Sequence, residues 1–236
     1  MRVRRASSSA RIVSAIGKPF RLLLSRYGLW QARIKASIAF IFVTIPAMAE
    51  PVTLLALGDS LTQGYGLPAD QGFVPQLEGW LTAHGADVTV INGGVSGDTS
   101  AGGASRIGWA LDPTVDAVMV TLGGNDLLRG IDPAETRTNL DAILATVQDR
   151  GLPVLLVGMT ALGNYGASYA DAFNAIYPDL AAARGVPLFA DFFAGLEAMG
   201  DWQTVLPAYF QPDGVHPNAE GVALIVDAIG PVVLDL

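Results

Sequence analysis

The stretch from Val52 to Gly66 reads VTLLALGDSLTQGYG. Its first six residues, Val52 to Leu57, form an unbroken apolar run of strand length that ends abruptly in Gly58-Asp59-Ser60. A continuous rather than alternating run is what a strand covered on both faces requires. Similar runs recur at Val88 to Ile91, Ala117 to Leu122, Val154 to Gly158 and Val186 to Phe189. Longer amphipathic stretches separate them, at roughly 71–84, 99–110, 133–150 and 168–184, with a last one at 217–229. Asp132-Pro133 suits a helix start, and Gly85, Gly151 and Gly185 each follow an expected helix end. The alternation predicts βα units around an open parallel sheet. Such a sheet meets its ligands at the carboxyl ends of the strands, beside the point where strand order reverses.

The charges are unevenly placed. Nine of the fourteen basic residues, Arg2 to Lys35, precede the first acidic residue, Glu50. From Glu50 onward five arginines, with no lysine, face 22 acidic residues, a formal charge of −17. Such a surface repels phosphate backbones and anionic membrane faces, so nucleic acid is not an expected partner. The basic start leads into an apolar run, Ala36 to Ala47, and Ala47-Met48-Ala49 offers the small residues that a signal peptidase needs. The apolar run falls short of the ~20 residues of a membrane span. Residues 1–49 are therefore expected to be a cleaved targeting segment, and residues 50–236 a single exported, periplasmic or secreted, domain without a stable membrane anchor. The chain has no cysteine, which excludes disulfides, thiol catalysis and thiolate metal sites. With only two histidines, far apart, no metal site is expected, and no cofactor is implied.

The chemistry concentrates just after the strands. Ser60 follows the first, near a helix start where backbone N–H groups favour negative charge. Alone it reads as a cap. A serine nucleophile needs a base, commonly a histidine held by a carboxylate. His84 stands at an expected helix end, where it can satisfy a carbonyl. His216 lies in Gln211-Pro212-Asp213-Gly214-Val215-His216-Pro217, three residues from Asp213. That spacing lets the carboxylate accept Nδ1–H and leaves Nε2 for a serine. Donors for an oxyanion are offered by Asn92 to Thr99 (NGGVSGDT) after the second strand and by Gly123-Gly124-Asn125-Asp126 after the third.

In that order the four blocks GDSLTQGYG, NGGVSGDTS, GGND and DGVHP resemble those of the GDSL, or SGNH, hydrolases. The resemblance covers essentially all of residues 52–230. It implies a three-layer α/β/α sandwich with a five-stranded parallel sheet, flavodoxin-like in its winding. It also implies Ser60, Asp213 and His216 as catalytic residues, with Ser60 N–H, Gly97 N–H and the Asn125 side chain as the oxyanion hole. The stretches GGNDLLRGI (Gly123 to Ile131) and NYGASYADAFNAIYPDL (Asn164 to Leu180) are similar to the bacterial periplasmic subgroup of acyl-CoA thioesterase, lysophospholipase and arylesterase enzymes. A small-molecule acyl ester or thioester is the substrate this implies. Leu127-Leu128 depart from the pattern where a smaller residue is expected, which bears on pocket shape. Leu127, Leu128 and Ile131 are candidates to line an acyl groove, or core residues beneath the loop.

Asp59, Asp98 and Asp126 are expected to hold their loops rather than perform chemistry. Trp80, Trp109 and Trp202 are read as core. An α/β-hydrolase would need a G-x-S-x-G elbow, which no serine here provides. Two further alternatives remain: a carbohydrate deacetylase on the same scaffold, and a non-catalytic acyl-binding protein.

Overall fold

The computed structural model describes residues 51–163 and 165–236; the expected targeting segment lies outside the described residues, as does Asn164. Five parallel strands, β1 (Val52–Gly58), β2 (Val88–Gly94), β3 (Ala117–Thr121), β4 (Val154–Val157) and β5 (Leu188–Phe189), form one sheet in the order β2-β1-β3-β4-β5. This is the flavodoxin-like winding expected from the sequence. From β1 the chain steps outward to β2, then crosses back to β3 on the other side of β1 and continues to β5. The reversal therefore lies between the ends of β1 and β3.

The connecting helices are α1 (Ser60–Gln63), α2 (Phe73–Ala83), α3 (Ser100–Ala110), α4 (Gly124–Arg129), α5 (Pro133–Asp149), α6 (Ala167–Asn174), α7 (Ile176–Arg184), α8 (Ala194–Glu197), α9 (Trp202–Tyr209) and α10 (Ala219–Leu234). Helices α2, α8, α9 and α10 pack together on one face of the sheet, and α3, α5 and α7 on the other. Strand residues Leu54 to Leu57, Val118 to Val120 and Val154 to Val157 are buried, as continuous apolar runs between two helical layers must be. Phe73, Leu77 and Leu81 of α2 recur at helical spacing and meet Val222, Ile225, Val226 and Ile229 of α10 in the same core. Close approach of these two helices depends on Gly230, where a Cβ would stand 2.6 Å from the Trp80 ring.

Several details differ from the sequence expectation for stated physical reasons. The helix expected over 168–184 is broken at Ala175 into α6 and α7. Pro178 has no N–H for the Asn174 carbonyl, and the Asn174 side chain instead bridges the backbone N–H and C=O of Ala161. The last helix runs past 229 to Leu234 through Pro231. Losing one hydrogen bond costs about 1 kcal/mol, which burial of a side chain such as Val233, about 1.5–3 kcal/mol, offsets. Trp109, read as core, is 76% exposed, because it lies on the outer side of α3. Trp80 and Trp202 are half-buried against the core. Among the described residues, no helix is long and apolar enough to cross a membrane.

Candidate active site

Strand β1 ends at Gly58, and the chain turns at once into α1. Asp59 caps that helix, its Oδ1 accepting the Leu61 N–H at 3.0 Å. The turn is tight. A Cβ at Gly58 would stand 1.9 Å from Thr62 Oγ1, and one at Gly94 would stand 2.3 Å from Gln63 N. Ser60 is thereby placed at the first position of α1, on the reversal point of the sheet, with its side chain at the rim.

The loop between α9 and α10 brings a histidine to it from across the molecule. His216 Nε2 lies 2.9 Å from Ser60 Oγ, although 156 residues separate the two in sequence. On the other side of the ring, Nδ1 lies 2.7 Å from Asp213 Oδ2. Asp213 Oδ1 accepts the backbone N–H groups of Val215 (2.9 Å) and His216 (3.0 Å). Those two N–H groups, that of His216 above all, together with the imidazole hold the Asp213 carboxyl down at about 2. An ionised carboxylate only accepts, so Nδ1 carries a hydrogen, and in the neutral ring the Nε2 lone pair is then the acceptor for the Ser60 hydroxyl. The loop is fixed to the body by Gln211, whose Nε2 donates to the Tyr65 and Pro217 carbonyls. The Tyr65 ring packs 4.6 Å from the imidazole, centroid to centroid.

Gly97 and Asn125 border the same cavity as Ser60 and His216. Gly97 adopts a left-handed conformation (φ 78°), which a residue without Cβ takes at no steric cost. Among the described residues, neither the Ser60 N–H nor the Gly97 N–H is bonded to a protein acceptor. Asn125 sits at the start of α4, and its Nδ2 donates one hydrogen to Asp59 Oδ2 at 3.1 Å, leaving a second for the cavity. Asp59 is 2% exposed, and burial pushes its carboxyl up to about 6 against the opposing hydrogen bonds from Leu61 and Asn125. A hydroxyl facing an imidazole nitrogen, with an amide and two backbone N–H groups around the adjoining space, is an arrangement able to add an alkoxide to an acyl carbonyl.

The cavity measures about 370 Å³. Leu61, Tyr65, Leu127, Leu128, Met159 and Phe193 give it apolar walls. Of the three apolar candidates, Leu127 and Leu128 line it and Ile131 does not. Beyond the left-handed Gly130 the chain turns away, and the Ile131 carbonyl is taken by Tyr169 Oη–H at 2.9 Å.

Residues 56–224 match the family model of the GDSL-like lipases and acylhydrolases. The chain belongs to this family. It is thus a hydrolase of the carboxylic ester class. The arylesterase of Vibrio mimicus is 36% identical over 194 residues, spanning 82% of this chain and 94% of the relative. A protein of Escherichia coli K12 named thioesterase 1/protease 1/lysophospholipase L1 is likewise 36% identical over 194 residues, covering 80% of this chain and 88% of the relative. Among solved structures, the SGNH-hydrolase family esterase AlinE4 matches with 44% identity and a TM-score of 0.65, over 80% of this chain and 98% of that one. TesA matches with 36% identity and a TM-score of 0.69, over 77% and 97%.

The structure of this hydrolase also places residues that sequence reasoning assigned only loosely. Asp126 is fully buried and accepts Ser100 N–H, Ser100 Oγ–H and Thr136 Oγ1–H, binding α4 to α3 and α5. Asp98 pairs with Arg106. Asp59, expected to hold its own loop, also reaches Asn125 on the neighbouring strand connection. His84 Nδ1 lies 2.8 Å from the Trp80 carbonyl, as a helix-end histidine should. Met159, Thr160 and Phe193 reach the cavity from beyond β4 and β5, and no motif marks them in the sequence. Arg106 and Arg129 were equally silent, although their scarcity in so acidic a domain is a signal.

Proposed function

We propose that this hydrolase cleaves acyl esters and thioesters through an acyl-enzyme on Ser60. The observation that carries this reading is the continuous contact from Ser60 Oγ through both ring nitrogens of His216 to Asp213, at 2.9 and 2.7 Å. Ser60 Oγ attacks the acyl carbonyl while its proton passes to His216 Nε2. The new Oγ–C bond drives the carbonyl electrons onto oxygen, where Ser60 N–H, Gly97 N–H and Asn125 Nδ2–H receive the charge. Asp213 keeps the imidazole oriented and stabilises the imidazolium. Collapse of the intermediate breaks the bond to the leaving alkoxide or thiolate, which takes the proton from Nε2. Water then repeats the sequence on the acyl-enzyme and frees the acid.

The apolar walls at Leu127, Leu128, Met159 and Phe193 favour an acyl chain over an acetylated sugar, and the names of the relatives, arylesterase and thioesterase 1/protease 1/lysophospholipase L1, point the same way. Residues 1–49 are proposed to be a leader removed before Glu50, delivering the domain to the periplasm or medium. The test of the activity is a panel of p-nitrophenyl esters from acetyl to palmitoyl, beside acyl-CoA and lysophospholipid, with Ser60→Ala as control. We expect kcat/KM to climb from two to about eight acyl carbons by a few-fold per pair of methylenes, less than full burial gives. Ser60→Ala should be inactive throughout. A preference for acetyl esters with strong activity on acetylated glycans would move the function to carbohydrate deacetylation on the same residues.

A further inference from the structure

The described residues hold five cationic side chains against 21 acidic ones, and two of the five converge on one turn. Arg106 reaches it from the interior. It is 8% exposed, on the inner side of α3, with Nε on Asp98 Oδ2 at 2.8 Å and Nη2 on the Gly58 carbonyl at 2.9 Å. Arg129 reaches it from the surface, at the end of α4, with Nη2 on the Gly97 carbonyl at 2.7 Å. Arg137 and Arg184 are engaged elsewhere with Asp179 and Asp141, and Arg150 caps the far end of α5.

The points of attachment are significant. Gly58 ends β1, two residues before Ser60, and its carbonyl also accepts the Val95 N–H at 3.1 Å. Asp98 directly follows Gly97. The Arg106 guanidinium is therefore a rigid bridge between the strand that carries the nucleophile and the turn that carries the second backbone donor. A planar fork is suited to this, since its donors keep a fixed separation. The sequence makes room for the bridge at Gly102, where a Cβ would stand 1.6 Å from Asp98 Oδ1. The turn that follows β2 contains Gly97, which has much conformational freedom to lose, and an oxyanion donor is effective only when it is oriented beforehand.

We propose that Arg106 and Arg129 are positioning residues that clamp the Gly97–Asp98 segment, from inside and outside, so that the Gly97 N–H faces the developing oxyanion. The inference rests on the reading of Ser60 and Gly97 given above. Neither arginine donates to substrate. Removing either lowers kcat and leaves substrate binding nearly intact, because the donor it steadies acts in the transition state.

The experiment is steady-state kinetics of Arg129→Ala, Arg129→Lys, Arg106→Gln and Arg106→Lys on p-nitrophenyl octanoate, with Tm and Ser60→Ala measured alongside. Arg129→Ala is expected to lose about tenfold in kcat, part of the ~10²–10³ that an oxyanion donor contributes, with KM changed less than twofold. Arg129→Lys keeps a donor for the Gly97 carbonyl and recovers most of that loss. Arg106→Gln loses more, and Arg106→Lys does not recover it, since an ammonium cannot reach Asp98 and Gly58 in the same fork. Should both Arg106 variants fail to fold, the exposed Arg129 side chain alone decides the matter. An unchanged kcat in Arg129→Ala overturns the clamp, and so does a raised KM at constant kcat, which would make Arg129 a substrate-binding group. Activity that persists in Ser60→Ala overturns the underlying reading instead, and the two failures are thus told apart.

Discussion

Asn125 Nδ2 donates to Asp59 Oδ2 at 3.1 Å, so the residue before Ser60 holds the amide that faces the cavity. This joins the ends of β1 and β3 through a buried carboxylate that also caps α1 through Leu61 N–H. The position of one proposed oxyanion donor is therefore set by the neighbour of the proposed nucleophile, and several expected outcomes follow from that bond and its surroundings.

Asp59→Asn should remove a pH-dependent cost to stability. Burial raises the Asp59 carboxyl from 3.8 to about 6, so the folded state binds its proton more firmly than the unfolded state. The sign is that stability is lost as pH rises from about 4 to about 6, and the full cost is present above that range. The stability of the variant relative to wild type should shift in the variant's favour by on the order of 1–3 kcal/mol between pH 4 and pH 8. Urea unfolding at both pH values measures it, and a difference independent of pH would contradict it. Its kcat should fall, because an amide in place of the carboxylate presents an N–H₂ where Asn125 needs an acceptor.

Asn125→Ala should lower kcat by ~10²–10³ with a smaller effect on KM. The amide meets a fully charged oxygen only in the transition state. A raised KM with unchanged kcat would instead assign Asn125 to ground-state binding.

Asp213→Asn should lower kcat by about 10²–10⁴, since an amide beside Nδ1 favours the wrong tautomer. In the wild type, the Asp213 carboxyl at about 2 remains ionised down to about pH 4. Its depressed value means a contribution to stability that is present above 3.8 and lost as pH falls toward 2. Asp213 should therefore contribute no acid limb to the pH–rate profile above about pH 4. A limb with its midpoint near 2 to 3 would show Asp213 to be limiting.

A fluorophosphonate should label the wild type on Ser60 alone, and peptide mapping by mass spectrometry reads this directly. Ser96 and Ser100 are the nearby controls: Ser96 lines the cavity without a base, and the Ser100 hydroxyl is spent on Asp126. Labelling at either in place of Ser60 would move the nucleophile.

Gly123→Ala should destabilise the fold by about 2 kcal/mol or more. Gly123 has φ 116°, and a Cβ there would stand 2.1 Å from Tyr177 Oη, which is buried and donates to the Leu122 carbonyl. Urea midpoints of the two proteins measure the effect, and a variant as stable as wild type would contradict it.

The local sequence of this hydrolase determined more of the fold than of the site. The five apolar runs specify strands covered on both faces, because only burial satisfies continuous Leu and Val. Gly58-Asp59-Ser60 specifies a strand meeting a helix start, because Asp caps its own turn. The blocks around Ser60, Gly97 and Asn125 were legible because their glycines and short polar side chains mark loops at strand ends, and that around His216 because Pro and Gly mark a turn before the last helix. Tertiary structure decided which groups meet. Ser60 and His216 are 156 residues apart, and no local preference encodes a 2.9 Å contact between them; the winding of the sheet and the packing of α10 against α2 create it. The turn of Ile131 away from the cavity, where its carbonyl meets Tyr169, and the exposure of Trp109 likewise depend on how elements distant in sequence pack. The bond from Asp59 to Asn125 and the bridge made by Arg106 belong to the same class. Their partners lie on different strand connections, and only the folded sheet sets those connections side by side.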